Sequence, residues 1–71
     1  MQRTPVDSSN IASVGYDEDR QVLEIEFQGG EIYQYSDVPK SMYERLMSAG
    51  SKGQYFRQNI KDTYKYDKVT G

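Results

Sequence analysis

The sequence has 71 residues, no cysteine, no histidine and a formal net charge of −2 at pH 7. This length fits one domain, and a chain without cysteine has neither a disulfide scaffold nor a thiolate metal site. Because histidine is the commonest general base and the commonest metal ligand, its absence makes a binding protein more plausible than an enzyme.

The composition also bears on location and on charge. A small domain without disulfides fits a reducing compartment, and the sequence has no apolar run of membrane-spanning length and no signal-peptide stretch, so we expect a cytoplasmic protein. Residues 1–49 carry nine acidic and four basic side chains, a balance of −5, whereas residues 50–71 carry five basic and two acidic ones, a balance of +3. A basic half can attract a polyanion, although charges also scatter unevenly on small surfaces.

The first strands are predicted from local pattern. We expect a partly ordered arm over residues 1–9, a single domain over 10–66 and a flexible tail over 67–71. Ile11–Tyr16 has strand character, and the polar run Asp17-Glu18-Asp19-Arg20 suits a hairpin loop. With that four-residue loop, the following strand would pair Leu23 with Val14 and Ile25 with Ala12.

The segment Val22–Phe27 has the clearest pattern in the chain, because apolar residues alternate with Glu24 and Glu26 as in a half-buried strand. A turn at paired glycines follows. A two-residue loop would put Tyr33 and Tyr35 on the face of the two glutamates. A three-residue loop, with Gly30 at the left-handed position of a G1 bulge, would instead pair them with Ile25 and Leu23.

We prefer the three-residue loop, Gln28-Gly29-Gly30, because it separates apolar from polar side chains. The first three strands then form a meander with one apolar face. Exposure of both Tyr33 and Tyr35 on the outer face would contradict this register and would favour base stacking on the sheet, as in RRM domains.

Two helices are predicted after the meander. Asp37-Val38-Pro39 opens the first, with Asp37 or Ser36 as its cap and the proline in its first turn. Its apolar stripe, expected to lie on the apolar face of the sheet, comprises Met42, Leu46 and Ala49. Gly50 ends this helix.

The second helix begins at Ser51, with Gln54 three residues later in a capping-box pattern, and Phe56 and Ile60 supply its buried stripe. Residues 63–66 alternate polar and aromatic side chains, which fits a short closing strand or an extended segment across the helices. The expected fold is therefore α+β: an antiparallel three-stranded meander followed by two helices packed on one face, with a possible short C-terminal strand.

The acidic run Asp17-Glu18-Asp19 invites a comparison with calcium sites. An EF-hand loop needs a glutamate at its twelfth position, where this chain has Gln28, so a solvated hairpin loop is the better interpretation. No serine can have a histidine as its base. We predict no catalytic residue, no metal site and no cofactor.

The loop between the helices is a candidate anion site. Gly50-Ser51-Lys52-Gly53 is a G-x-x-G sequence similar to the loop with which KH domains clamp a nucleic-acid backbone, although the order of elements differs from a KH domain. Unpaired N–H groups and the helix dipole favour an anion at a helix N-terminus. The alternative is that Gly50 only ends one helix while Ser51 caps the next. The candidate phosphate-binding residues are Gly50, Ser51, Lys52, Gly53, Arg57, Lys61 and Lys65.

Tyrosines lie among the basic residues of the C-terminal half. Proteins that hold single-stranded nucleic acid combine cations, which neutralise phosphates, with flat rings that stack on bases. Tyr64 and Tyr66 are the candidate base-stacking residues. The alternative is that most of the aromatic residues fill a small core that has few leucines.

Four spaced motifs cover about residues 8–66. They are Val14-Gly15-Tyr16-Asp17, Leu23-x-Ile25-x-Phe27-x-x-Gly30-x-x-Tyr33-x-Tyr35, Val38-Pro39-x-x-x-Tyr43-x-x-Leu46, and Ala49-x-Ser51-x-Gly53-x-Tyr55-Phe56-x-x-x-Ile60. In this combination they resemble the KTSC domain, a small family named for the C-terminus of some lysyl-tRNA synthetases and also found as single-domain bacterial and phage proteins. The resemblance implies a small α+β domain with a central Tyr-x-Tyr motif, matched here by Tyr33 and Tyr35. It implies no catalytic residues, and RNA binding has been suggested for the family from the synthetase attachment.

These observations together predict a non-catalytic accessory module that binds RNA, tRNA-like or single-stranded, through its basic and aromatic C-terminal half. The alternative prediction is a protein–protein interaction module that uses the outer sheet face, with Glu24, Glu26, Ile32 and Gln34, or an edge strand.

Overall fold

Five antiparallel strands form one sheet, and two helices pack on one of its faces in a computed structural model that describes residues 2–69. The elements in chain order are β1 (Arg3–Pro5), β2 (Ile11–Asp17), β3 (Val22–Phe27), β4 (Ile32–Tyr35), α1 (Lys40–Ser48), α2 (Lys52–Asn59) and β5 (Tyr66–Val69). The strands follow one another in the sheet in chain order. Within residues 2–69, neither helix is long and apolar enough to cross a membrane.

The α+β class and the central meander are confirmed, but the sheet has five strands and not three. Strand β1 lies within the segment predicted as an arm and pairs Arg3 with Gly15 of β2. Strand β5, which begins at Tyr66 and continues into the segment predicted as a tail, pairs with β4. Both are short edge strands, where proline and charged residues are tolerated, so neither has a strong periodic signal. Met1, Thr70 and Gly71 lie outside the described residues.

The β3–β4 hairpin has the predicted register. Ile25 pairs with Tyr33 and Leu23 with Tyr35. The Gly30 amide donates to the Phe27 carbonyl at 2.9 Å, and Gly30 has φ 93°, the left-handed conformation that the three-residue loop requires.

The β2–β3 hairpin differs from the prediction by two residues. Val14 pairs with Ile25 and not with Leu23, and the loop runs over residues 18–21 because Asp17 already pairs with Val22. The Asp17 carboxylate accepts hydrogen bonds from the Asp19 and Arg20 amides, in an Asx turn with which the loop begins. A shift of two residues keeps Val14, Leu23 and Ile25 on the predicted face.

A register irregularity between Ile11 and Ser13 changes the alternation at the start of β2. Because one residue is extra there, Ile11 and Val14 both face the core although they are an odd number of residues apart, and both are fully buried. The predicted pairing of Ala12 with Ile25 is wrong, because Ile25 pairs with Val14.

Helix α1 begins two positions later than a helix capped by Asp37 would, so Pro39 precedes its first turn. Pro39 is its N-cap and no side chain caps it, so the predicted caps at Asp37 and Ser36 are wrong. Asp37 instead adopts φ 58°, and the following Val38 is fully buried. The Val38 amide donates to the Gln21 carbonyl at 2.8 Å, which ties this turn to the first hairpin loop.

Helix α2 begins as predicted. The Gln54 amide donates to Ser51 Oγ at 3.4 Å, and Phe56 and Ile60 are buried. The core between the helices and the sheet consists of Ile11, Val14, Leu23, Ile25, Tyr35, Val38, Leu46, Phe56 and Ile60.

Candidate functional site

A groove of about 610 Å³ opens on the helix-bearing face of the sheet, beside α2 and the β4 and β5 strands. Five aromatic side chains line it: Phe27, Tyr33, Tyr35, Phe56 and Tyr66. They converge because β4 and β5 pair Tyr35 with Tyr66, and alternation puts Tyr33 on the same face. Helix α2 borders this aromatic corner through Phe56 and Arg57, and Tyr66 stays exposed there.

Tyr66 is the exposed ring of the groove. It is 53% exposed, and its ring stacks on Tyr33 with centroids 5.3 Å apart and planes 25° from parallel. Tyr35 beside it is 2% exposed and contacts both Tyr66 and Phe56. Both Tyr33 and Tyr35 therefore lie on the helix-bearing face, as the three-residue loop predicts, and not on the outer face.

The structure separates the two candidate stacking residues. Tyr66 lines the groove, whereas Tyr64 is half-buried and packs against the core away from it. Tyr64 is held by the turn after α2, where its amide donates to the Ile60 carbonyl at 3.3 Å. Of the two, Tyr66 has its ring face available to a ligand.

Three of the candidate phosphate-binding residues lie on the groove, the buried Gly53 and the two cations Arg57 and Lys61. Arg57 on α2 and Lys61 just after it both line the groove, and both are exposed. Lys65 is exposed but does not line it; its carbonyl accepts from the Ser36 amide at 2.9 Å and joins the approach to β5 to the end of β4.

The loop Gly50-Ser51-Lys52-Gly53 borders a second, polar pocket of about 310 Å³, which adjoins the groove at Ser9, Asn10, Gly53 and Arg57. Lys52 Nζ lies 3.4 Å from the Ala49 carbonyl. A Cβ at Gly53 would stand 3.3 Å from Asn10 Nδ2, at the contact of α2 with the turn before β2. Helix capping accounts for Ser51 without a ligand.

Three charged residues of the groove region were missed by the sequence reasoning. Glu31 and Asp62 line the groove, and Lys68 Nζ lies 3.4 Å from a Glu31 carboxylate oxygen. Their position depends on β5, which brings Lys68 opposite Tyr33. A weak edge strand was the only sequence signal for this arrangement.

The environment of Tyr35 also perturbs its ionisation. Burial, with smaller contributions from Tyr66, Tyr33 and the Asp62 charge, raises the pKa of Tyr35 to about 12. The phenol is therefore neutral at pH 7 and keeps its O–H as a hydrogen-bond donor.

The outer face of the sheet carries a hydrogen-bonded polar network. Glu24 is 5% exposed; it accepts a hydrogen bond from Arg3 and one at 2.8 Å from Gln34. Arg3 also donates to Ser13, whose hydroxyl donates to Glu26 at 2.7 Å. Burial alone would raise the pKa of Glu24, but the hydrogen bonds from Gln34 and Arg3 and the Arg3 charge outweigh it and lower that pKa.

Comparison with known proteins places this fold and its motifs in a family. A protein from Stutzerimonas stutzeri, described as uncharacterized, is 39% identical over 70 residues, which cover 97% of this chain and 99% of that protein. A lysine–tRNA ligase from Nostoc sp. is 41% identical over 64 residues, which are 90% of this chain but 11% of the ligase.

The crystal structure of a KTSC domain protein from Yersinia pestis matches with a TM-score of 0.95 and 45% identity over 97% of both chains. The family model of the KTSC domain matches residues 7–67. The predicted resemblance is confirmed, and the chain belongs to the KTSC domain family.

Proposed function

We propose that this domain is a non-catalytic module that binds single-stranded RNA in the aromatic groove. The observation that carries the proposal is the exposed Tyr66 ring, stacked on Tyr33 and lying on the same groove as Arg57 and Lys61. A base can stack on Tyr66 while the two cations meet the phosphates on either side of it. The matching segment in proteins named lysine–tRNA ligase, which act on tRNA, supports an RNA ligand.

The proposal is tested by titrating a fluorescent single-stranded RNA with the domain and following anisotropy. Tyr66→Ala should weaken binding about tenfold, since one stacked base contributes about 1–3 kcal/mol. Tyr66→Phe keeps the ring and should bind like the unchanged protein. If both variants bind alike, the ring does not stack on a base.

The phosphate contacts are tested by charge removal and by salt. Arg57→Ala and Lys61→Ala should each weaken binding, whereas Arg45→Ala, an exposed cation at the end of α1, should not. Two phosphate contacts give a slope of log K against log salt of roughly −1.4 for a single strand. A slope near zero, or equal losses for all three variants, would contradict binding at the groove.

A second candidate function is protein–protein interaction through β5 and the outer face. Strand β5 is at the edge of the sheet, so one row of its backbone groups is open to a further strand. A partner that copurifies without nucleic acid, and that is lost with Asp67→Arg or Glu26→Arg on the outer face, would favour this function.

A further inference from the structure

The groove holds a hydrogen-bonding group that phosphate binding does not use, the hydroxyl of Tyr35. Among residues 2–69, the tyrosine hydroxyls that donate hydrogen bonds are those of Tyr16 and Tyr55, and the Tyr35 hydroxyl does not. Every fully buried side-chain nitrogen or oxygen in that range has a partner. The unpartnered Tyr35 hydroxyl is therefore not fully buried, and because Tyr35 lines the groove we place this hydroxyl at the groove wall.

A carboxylate lies on the same groove. Asp62 follows Lys61 in the turn after α2, lines the groove and forms no ion pair within residues 2–69. Asp62 and Tyr35 line the same groove, and the Asp62 charge is among the smaller causes that raise the pKa of Tyr35. A carboxylate repels phosphate, so Asp62 does not share the phosphate-binding role proposed for Arg57 and Lys61.

Building on the proposed function, we propose that the groove selects guanine. The base stacks on Tyr66, the Asp62 carboxylate accepts hydrogen bonds from guanine N1–H and N2–H, and the Tyr35 hydroxyl donates to guanine O6. Single-stranded RNA is commonly recognised in this way, by stacking and by hydrogen bonds to the Watson–Crick edge.

The choice of guanine follows from its donor pattern. Its Watson–Crick edge carries two adjacent N–H donors, which match the two oxygens of a carboxylate acceptor. Adenine and cytosine each place a ring acceptor beside their amino group, and that acceptor faces the carboxylate unfavourably. Uracil has a single N–H between two carbonyl oxygens. A cationic amine would also suit a carboxylate beside aromatic rings, but Arg57 and Lys61 on the same groove repel it.

The experiment compares pentanucleotides UUXUU in which X is G, A, C, U or inosine, which is guanine without its N2 amino group. Anisotropy titrations should show the G oligonucleotide binding about tenfold more tightly than those with A, C or U, with inosine intermediate. Asp62→Asn should remove most of this preference and leave the affinity for the all-U oligonucleotide unchanged or higher. Asp67→Asn, which removes the same charge from the outer face, should keep the preference.

Tyr35→Phe is a second test of the guanine assignment, because it removes only the hydroxyl and should reduce the preference for G over A. Tyr43→Phe removes a hydroxyl outside the groove and should leave the preference for G over A unchanged. Equal affinities for all five oligonucleotides would overturn the guanine assignment and leave the proposed function intact. If Asp62→Asn raises every affinity by the same factor, the carboxylate only repels phosphate and the assignment is wrong. If no oligonucleotide binds, both the assignment and the proposed function fail.

Discussion

Replacing Arg3 by alanine should destabilise the whole domain although Arg3 lies on a three-residue edge strand. Its guanidinium reaches across β2 to the Glu24 carboxylate on β3 and also donates to Ser13 on the strand between them. The side chain therefore joins three strands on the outer face. Without it, the Glu24 carboxylate stays buried and loses its cation.

The expected cost follows from how buried the pair is. The Glu24 side chain is 7% exposed and that of Arg3 is 28% exposed. Breaking a fully buried ion pair costs about 3–5 kcal/mol, and an exposed pair contributes about 0–1 kcal/mol. Solvent reaches the guanidinium, and Gln34 still donates to Glu24 in the variant, so we expect a loss of about 1–2 kcal/mol.

Urea unfolding followed by far-ultraviolet circular dichroism measures this loss. A domain of this size has a free energy of unfolding of roughly 4–11 kcal/mol and a urea dependence near 1 kcal/mol per molar, so the midpoint should fall by roughly 1–2 M. Arg20→Ala is the matched control, because Arg20 is 82% exposed and lies 3.9 Å from Asp17. Its midpoint should stay within about 0.5 M of the unchanged protein.

Equal midpoints for Arg3→Ala and Arg20→Ala would refute this reasoning. The cause of the loss can be tested separately with the double variant Arg3→Ala and Glu24→Gln. If the cost comes from an unpaired buried carboxylate, neutralising that carboxylate should make the double variant more stable than the sum of the single losses implies. Additive losses would mean that Arg3 acts through packing alone.

Three further predictions concern stability. Folding lowers the pKa of Glu24, so this carboxylate contributes to the free energy of unfolding. That contribution is fully present above about pH 4.3, the usual pKa of glutamate, and is lost as pH falls through the lower folded pKa. Below pH 5, urea midpoints of Glu24→Gln should therefore depend less on pH than those of the unchanged protein. Gly53→Ala should stabilise the domain by about 0.5 kcal/mol, because alanine is favoured over glycine in a helix by up to about 1 kcal/mol. The nearest neighbour of the new methyl group is the exposed end of the Asn10 side chain, which can turn away. A lower urea midpoint for Gly53→Ala would show that Asn10 does not move. Leu46→Ala in the core should lower the free energy of unfolding by about 2–5 kcal/mol. A fall of the urea midpoint, or loss of dispersion in the amide NMR spectrum where the variant unfolds, measures this cost.

The β3–β4 hairpin could be predicted in full because its signals are local and agree with one another. Apolar and acidic residues alternate along β3, and only a loop with Gly30 in the left-handed conformation keeps that separation on β4. The start of α2 was predictable for the same reason, since Ser51 and its hydrogen bond from the Gln54 amide lie three residues apart.

The start of α1 could not be read in this way, because distant contacts decide it. Local propensity offers Asp37 as a cap, but Val38 is drawn into the core, its amide bonds to the Gln21 carbonyl, and the Tyr16 hydroxyl donates to its carbonyl. Those three interactions keep the chain out of the helical conformation until Pro39. The first hairpin loop and the helix start thus depend on each other, and neither segment alone contains that information.

The same limit applies to the candidate site, where β5 changes the meaning of the charge pattern. Along the chain the C-terminal half has a balance of +3, but in the fold Lys68 pairs with Glu31 from the acidic half. Arg57 and Lys61 form no ion pair within residues 2–69, and they lie on the groove that Tyr66 completes. RNA binding at the groove would therefore depend on two cations beside one exposed ring, and not on the net charge of a segment. Single substitutions of Arg57, Lys61 and Tyr66 are for this reason a decisive test of RNA binding.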